Sequence, residues 1–342
     1  MSHTSEQLQE LVNDFKALTL TMSAAAGAGH VGGALSGAVS LVAVWFDKFN
    51  LDIDDDDRDR FFLGPMHFTP GIYSLLVKKG YHDWKETVGY RRAGSPFEGH
   101  PNISKIKGWE LSGGSLGQAL GVAVGSAMAA KIRGKKHWIV THNSDGELQE
   151  GSMWESIMYA GTHGLDNLIT FFDINRIQSY TRVEECSEVE PVADKLKSFH
   201  WNVIEVNGND LEEVTAAYDQ AMALKNGNPT AIVGHTVIGN GVSFLEDKVS
   251  SHNRSPPLSL ISAKTTAGTP AMICRWRTSG RGWEFRKGFA NAWTATLMWS
   301  PLPKTPSSSL ASPRKIVRNT GRPISSSTSA SPNRTCRWSP LA

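Results

Sequence analysis

Cysteine is scarce in this chain. There are three among 342 residues, Cys186, Cys274 and Cys336, too far apart for a disulfide framework or a thiolate metal cluster. No apolar run is long enough to span a bilayer. The opening MSHTSEQLQELVNDF lacks the basic-then-apolar order of a secretory leader. A disulfide-stapled secreted domain and a helical membrane protein are excluded, and a reducing, cytoplasmic compartment is the expectation. Acid is missing from one region. Residues 255–342 carry thirteen Lys and Arg against a single Glu284, so 22 of the 35 basic and 32 of the 33 acidic residues fall in 1–254. The overall charge of +2 therefore joins a part at −10 to a part at +12. Apolar periodicity is also absent from the basic part, which is crowded with Ser, Pro, Thr and five Trp. What remains, 40% apolar and 20% charged overall, suffices for one large α/β domain plus an appendage.

The densest information lies between Asp145 and Asn175, thirty residues apart. Apolar runs that read as buried strands, 137–144 and 167–174, lead into the two residues, and a helix-like stretch, 150–162, lies between them. In a strand–helix–strand unit of a parallel sheet both residues emerge at the carboxyl edge, where such sheets bind ligands. An Asp carboxylate and an Asn amide oxygen are hard donors that suit Mg²⁺ completed by phosphate and water. Either residue alone reads as an ordinary loop position. Both in register, with Gly146 and Gly151 beside them, point to a magnesium–diphosphate site.

The wording DGELQEG followed by WE resembles the thiamine diphosphate motif of transketolases, in their amino-terminal half and in particular their split, two-subunit kind. Further motifs carry the resemblance from about Leu8 to Arg254: AGAGHVGGALS, DRDRFFLGPMHFTPGIYSLL, FEGHPN, LSGGSLGQALGVAVGSAMA, and a stretch ending at His252. Their order and spacing together are specific. The resemblance implies an α/β fold, a mostly parallel sheet with helices on both faces, binding thiamine diphosphate through Mg²⁺. Asp145 and Asn175 would hold the metal by side chain and Ile177 by its backbone carbonyl. Gly114, Leu116 and Gly146 would adjoin the cofactor, and Glu150 would lie at a subunit contact that links cofactor sites. His30, His67, His100 and His252 would be the catalytic and substrate-facing histidines. Two-carbon transfer between sugars needs proton movement near neutral pH, for which imidazole is suited.

Some positions depart from the family pattern. Before His67 the usual Lys-Gly or Asn-Gly is Pro65-Met66, which is expected to alter the loop's backbone angles. Gly-Asp-Gly is Ser144-Asp145-Gly146, and the small serine is expected to be tolerated. The acidic run 52–60 reads as a solvated turn without a metal. Glu147 and Glu155 are expected to face solvent or helix partners, and Leu148, Trp154 and Met158 to be core. Helices are expected over 5–26, with Ser5 as cap, and over 210–227, capped by Asp210. Residues 202–208 and 229–239 read as strands. Gly-Gly at 113–114 before a helix start offers N–H groups to an anion.

The basic tail admits three readings: a nucleic-acid arm, a disordered solubilising tail, or a shifted reading frame. Joining the third base of each codon to the next two lets 326–342, SSTSASPNRTCRWSPLA, be encoded by DNA that reads FINVGIAEQNMQVVAAG. That resembles the carboxy-terminal half of transketolases, whose GIAEQNM segment carries an essential glutamate. The same shift applied at Ser255-Pro256-Pro257 permits Val-Pro-Thr. A frameshift just after Arg254 is therefore expected. Residues 1–254 form the diphosphate-binding domain, and 255–342 an irregular, disordered, out-of-frame tail.

The function implied is transfer of a two-carbon ketol unit from a ketose phosphate to an aldose phosphate. A carboxy-terminal subunit or half would act as partner in a dimer or heterotetramer, with neither nucleic acid nor membrane involved. The alternatives are an inactive remnant or binding-only subunit, and a thiamine-dependent 2-oxo acid dehydrogenase subunit, against which the histidine motifs before residue 101 speak.

Overall fold

The computed structural model describes residues 3–224 and 226–252, and the backbone of three short strands beyond them. Helix α1 (Ser5–Ala26) buries Leu8, Val12 and Phe15 at helical spacing. Its cap is Thr4, not Ser5. The Thr4 hydroxyl accepts the Gln7 N–H while the Gln7 side chain accepts the Thr4 N–H, a reciprocal box that puts the cap one residue earlier than expected while the helix spans the expected 5–26. The short helices α2 (Val31–Ser36) and α3 (Ala38–Ala43) follow, and α3 runs into a π-helical turn at Val44–Lys48. Strand β1 (Arg60–Leu63), which the sequence pattern does not announce, precedes α4 (Thr69–Lys78) and α5 (Ala119–Ile132).

Next come β2 (Ile139–Ser144), α6 (Gly151–Thr162) and β3 (Leu168–Ile174), the strand–helix–strand unit read from the sequence. A two-residue hairpin, β4 (Ile177–Gln178) with β5 (Thr181–Arg182), leads to α7 (Val183–Cys186) and α8 (Val192–Ser198). The remaining elements are β6 (Asn202–Asn207), α9 (Leu211–Ala223) and β7 (Thr230–His235). Asp210 caps α9 as expected, accepting the N–H groups of Glu212 and Glu213. The helix stops at Ala223, short of Gly227.

Five strands form one parallel sheet in the order β1-β2-β3-β7-β6. Strands β2 and β3 are buried along their whole length, as a sheet covered on both faces requires. Phe171 and Phe172, neighbours on β3, point to opposite faces. Phe171 joins a cluster with Phe15, Val42, Ile72 and Tyr218 from α1, α3, α4 and α9. Phe172 joins one with Leu120, Ile157 and Leu196 from α5, α6 and α8. The fold is the α/β arrangement expected. No helix among the described residues is long and apolar enough to cross a membrane.

In the segment read as irregular, backbone pairing is described for β8 (Arg275–Ser279), β9 (Gly282–Arg286) and β10 (Thr294–Leu297), an antiparallel sheet of its own. The rest of 255–342, with Cys274 and Cys336, lies outside the described residues.

Candidate functional site

Four parallel strands deliver their carboxyl ends to one cleft. After β1 the chain turns through Gly64 to His67; after β2 it reaches Asp145; after β3, Asn175; and after β7 it loops round to His252. His30 enters from the turn between α1 and α2. The cleft has a volume of about 280 Å³. Of the residues expected at the site, His30, His67, His100, His252, Gly114, Leu116, Asp145, Gly146, Asn175 and Ile177 line it. Glu150 does not. It is exposed at the start of α6, with its Cβ against Gly117.

Asp145 is 1% exposed. Its Oδ1 accepts the Gly146 N–H at 2.8 Å and its Oδ2 accepts the Arg176 N–H, so the carboxylate is fastened to the loop that carries Asn175. The Asn175 Oδ1 in turn accepts the Ile177 N–H at 3.1 Å. Burial, and next the neighbouring Asp173 carboxylate, push the Asp145 carboxyl up to about 8. Asp173 is fully buried and accepts from the Ser36 hydroxyl at 2.6 Å and from Thr236, with the fully buried His142 Nε2 at 3.9 Å. Two buried carboxyl groups at one sheet edge favour neutralisation by a cation.

Among the described residues no group of three or more His, Cys, Asp or Glu could hold a metal by itself. One carboxylate and neutral oxygens instead match Mg²⁺, which takes few protein donors and completes its shell from phosphate and water. The donors present fit that ion: the Asp145 carboxylate, the Asn175 amide oxygen and the Ile177 carbonyl.

The histidines form a triangle. Ring centroids lie 4.9 Å apart for His30 and His67, 5.5 Å for His30 and His252, and 5.3 Å for His67 and His252. Burial, then the charges of His252 and Arg91, lower His30 to about 4. Burial, then the other site histidines, holds His67 well below the usual imidazole range. Both are therefore neutral near pH 7. His100 is exposed at the rim and packs on Gly114, where an added Cβ would stand 3.0 Å from its ring.

Local sequence explains how the triangle assembles. The glycines after His30 admit protein more than ligand. A Cβ on Gly32 would meet the Ser251 carbonyl oxygen at 2.7 Å, and one on Gly33 the Phe68 ring at 2.1 Å. A bond from the Gly239 N–H to the Gly32 carbonyl, 3.0 Å, ties in the His252 segment. Gly33 alone of the pair also lines the cleft.

Some expectations need correction. Met66 has no left-handed backbone, so its replacement of glycine leaves no strain there; its side chain is buried beside Gly113, and His67 still lines the cleft. Glu147 does not face solvent. The 3₁₀ turn Gly146–Gln149 rotates it inward, where it is completely buried; its Oε1 accepts the Gly117 N–H at 2.7 Å, and burial pushes its carboxyl up to about 7. Met158 is 50% exposed rather than core, whereas Leu148 is buried and Trp154 partly so. Ser144, the serine that replaces the family's glycine, lines the cleft too, as do Phe68, Gln178 and Ser179, which the sequence reading assigns no role. Adjacency to His67, Asp145 and Ile177 was the available signal.

Residues 7–272 match the family model described as "Transketolase, thiamine diphosphate binding domain", a match that runs beyond Arg254. The chain is 36% identical over 256 residues to the 6-deoxy-6-sulfo-D-fructose transketolase subunit of Clostridium sp. (strain MSTE9), covering 74% of this chain and 93% of that one. It is 35% identical over 234 residues to an apulose-4-phosphate transketolase subunit of Phocaeicola vulgatus, covering 68% and 83%. Among solved structures, the transketolase of Campylobacter jejuni superposes with a TM-score of 0.70 at 32% identity, over 76% of this chain and 42% of that one. The chain thus spans most of the subunit relatives and about two-fifths of the long transketolase.

Proposed function

The chain belongs to the transketolase family, through its thiamine diphosphate-binding domain, and from that premise we propose that it is the diphosphate-binding subunit of a two-subunit transketolase. The reaction is transfer of a two-carbon ketol unit from a ketose phosphate to an aldose phosphate, with Mg²⁺ as the cofactor's anchor. One observation carries the reading: Asp145, bonded to the Arg176 N–H, and Asn175, at the ends of adjacent strands, open onto the same cleft as the triangle of His30, His67 and His252. The relatives named above are transketolases, which favours this reading over a 2-oxo acid dehydrogenase subunit.

Bound thiamine diphosphate supplies the carbanion chemistry; the protein supplies position and protons. Asp145, Asn175 and Ile177 hold the metal, while Gly114, Leu116 and Gly146 shape the cradle. Neutral His30 and His67 take up and return sugar hydroxyl protons through ring nitrogens. The His30 ring lines the cleft, although its Nδ1 is itself buried. His252 completes that wall, and His100 binds substrate hydroxyls from the rim.

The relatives are named as subunits, which supports a separate partner subunit; that it is a carboxy-terminal one, in a dimeric or heterotetrameric assembly in the cytoplasm, is part of the same proposal. Residues 1–254 form the folding unit, and the out-of-frame reading of 255–342 fits its change of composition. Calorimetry with thiamine diphosphate and Mg²⁺ tests the site, with micromolar binding expected. Turnover of ketose phosphate is expected only when a carboxy-terminal subunit is added. Absence of cofactor binding would overturn the reading. Resequencing across codon 254 tests the frame, and a gene with no transketolase-like alternative frame would refute it.

A further inference from the structure

The cleft has two walls that come from distant parts of the chain. One is the turn at Asp145 and Gly146; the other is the loop 114–117, which enters α5 and carries Gly114 and Leu116. What joins them is Gly117, whose two backbone groups are both taken by the Asp145 side. Its N–H donates to Glu147 Oε1 at 2.7 Å, and its carbonyl accepts from the Ser152 hydroxyl at 2.9 Å. Gly117 has a φ of +78°, and an added Cβ would meet Ser152 Oγ at 2.6 Å and Glu150 Cβ at 2.7 Å, so only glycine allows this approach.

The other end of Glu147 is equally engaged. Its Oε2 receives the Ser144 N–H at 3.4 Å, and it crowds Gly64 together with the Asn143 Oδ1, a buried oxygen without a hydrogen-bond partner. A fully buried carboxyl group between the ends of β1 and β2 and the loop before α5 costs desolvation unless its bonds are worth keeping. It does not line the cleft and is not needed to fill it.

We propose that Glu147 is a positioning residue that clamps the 114–117 loop to the Asp145 turn and thereby sets the width of the cofactor cradle. The inference rests on reading the cleft as a thiamine diphosphate site. It acts chiefly through the Gly117 bond, so an amide of the same shape retains it: the carbonyl of Glu147→Gln still accepts the Gly117 N–H, while its NH₂ gives up only the long bond from the Ser144 N–H. Glu147→Ala leaves the Gly117 N–H buried and unpaired, and the wall moves.

Two measurements on the full chain test this. Hydrogen exchange of the peptide containing Gly117, without cofactor, is expected to quicken about tenfold in Glu147→Ala and to stay within about threefold of wild type in Glu147→Gln. Calorimetric titration with thiamine diphosphate at fixed Mg²⁺ is expected to weaken about tenfold in the alanine variant alone. Unchanged exchange in Glu147→Ala, or a glutamine variant as impaired as alanine, overturns the proposal. Should the alanine variant fail to fold, Ser152→Ala removes the second bond to Gly117. A loosening of about threefold is expected there, and none overturns the clamp. If the wild-type chain binds no cofactor, the functional reading falls, while the exchange at Gly117 still decides the clamp.

Discussion

Asp173 lies beside Ser144 in the pairing of β3 with β2, and its carbonyl accepts the Asp145 N–H at 3.2 Å. Its carboxylate, held by Ser36 and Thr236, adds to burial in raising Asp145 to about 8. The cleft is thus built around a carboxyl group that resists ionising until a cation arrives.

That relationship sets the pH dependence of metal binding. Below about pH 8, Mg²⁺ must displace a proton from Asp145, so its affinity is expected to rise roughly tenfold per pH unit up to that point. Calorimetry at pH 7 in two buffers of different ionisation enthalpy should detect close to one proton released per metal. Because the folded chain holds this proton more tightly than the unfolded one, the metal-free protein loses about 1.4 kcal/mol for each pH unit between roughly 4 and 8. Asp145→Asn should therefore melt higher than wild type at pH 8 without metal, and bind none.

The histidines act in the opposite direction. His30 and His67 lie below the ordinary imidazole value in the fold, so the unfolded chain takes up protons first as pH falls through about 6.5. Stability from these groups is complete above that value and is lost progressively toward about 4 for His30. In His30→Gln or His67→Gln, the drop in thermal midpoint between pH 7 and pH 5 should be smaller than in wild type.

Gly32→Ala would set a methyl against the Ser251 carbonyl, which the contact at 2.7 Å does not allow. A loss of about 1–3 kcal/mol is expected in urea denaturation. Since Ser251 precedes His252, turnover with the partner subunit should fall by more than cofactor affinity does.

His100→Ala removes an exposed ring that rests on Gly114 without filling the core. Steady-state kinetics of the reconstituted enzyme should give a KM for the ketose phosphate raised roughly tenfold, with folding stability unchanged within about 0.5 kcal/mol.

Much of the fold is legible because β3 reads as an apolar run, LITFFDI, and the run that enters β2 carries Trp138, Ile139 and Val140 before turning polar. β1 is hidden since only four residues, Arg60–Leu63, follow an acidic stretch that looks like a turn. Glu147 reads as solvent-facing because it stands in the polar stretch just ahead of the helix read over 150–162. A 3₁₀ turn before α6 turns it inward instead. Met158 departs the other way, as α6 presents it outward from an otherwise apolar helix. The contact of Gly32 with Ser251 joins residues more than two hundred positions apart, and no local pattern encodes such a meeting.

Across the sheet, the loops arrive in the order β1, β2, β3, β7, so the proposed metal donors Asp145 and Asn175 occupy the two middle positions and His67 and His252 flank them. Division of labour is thereby written into strand order. Outer loops can diverge toward new sugars while the inner pair keeps one unchanging grip, so substrate preference and cofactor dependence are separately evolvable.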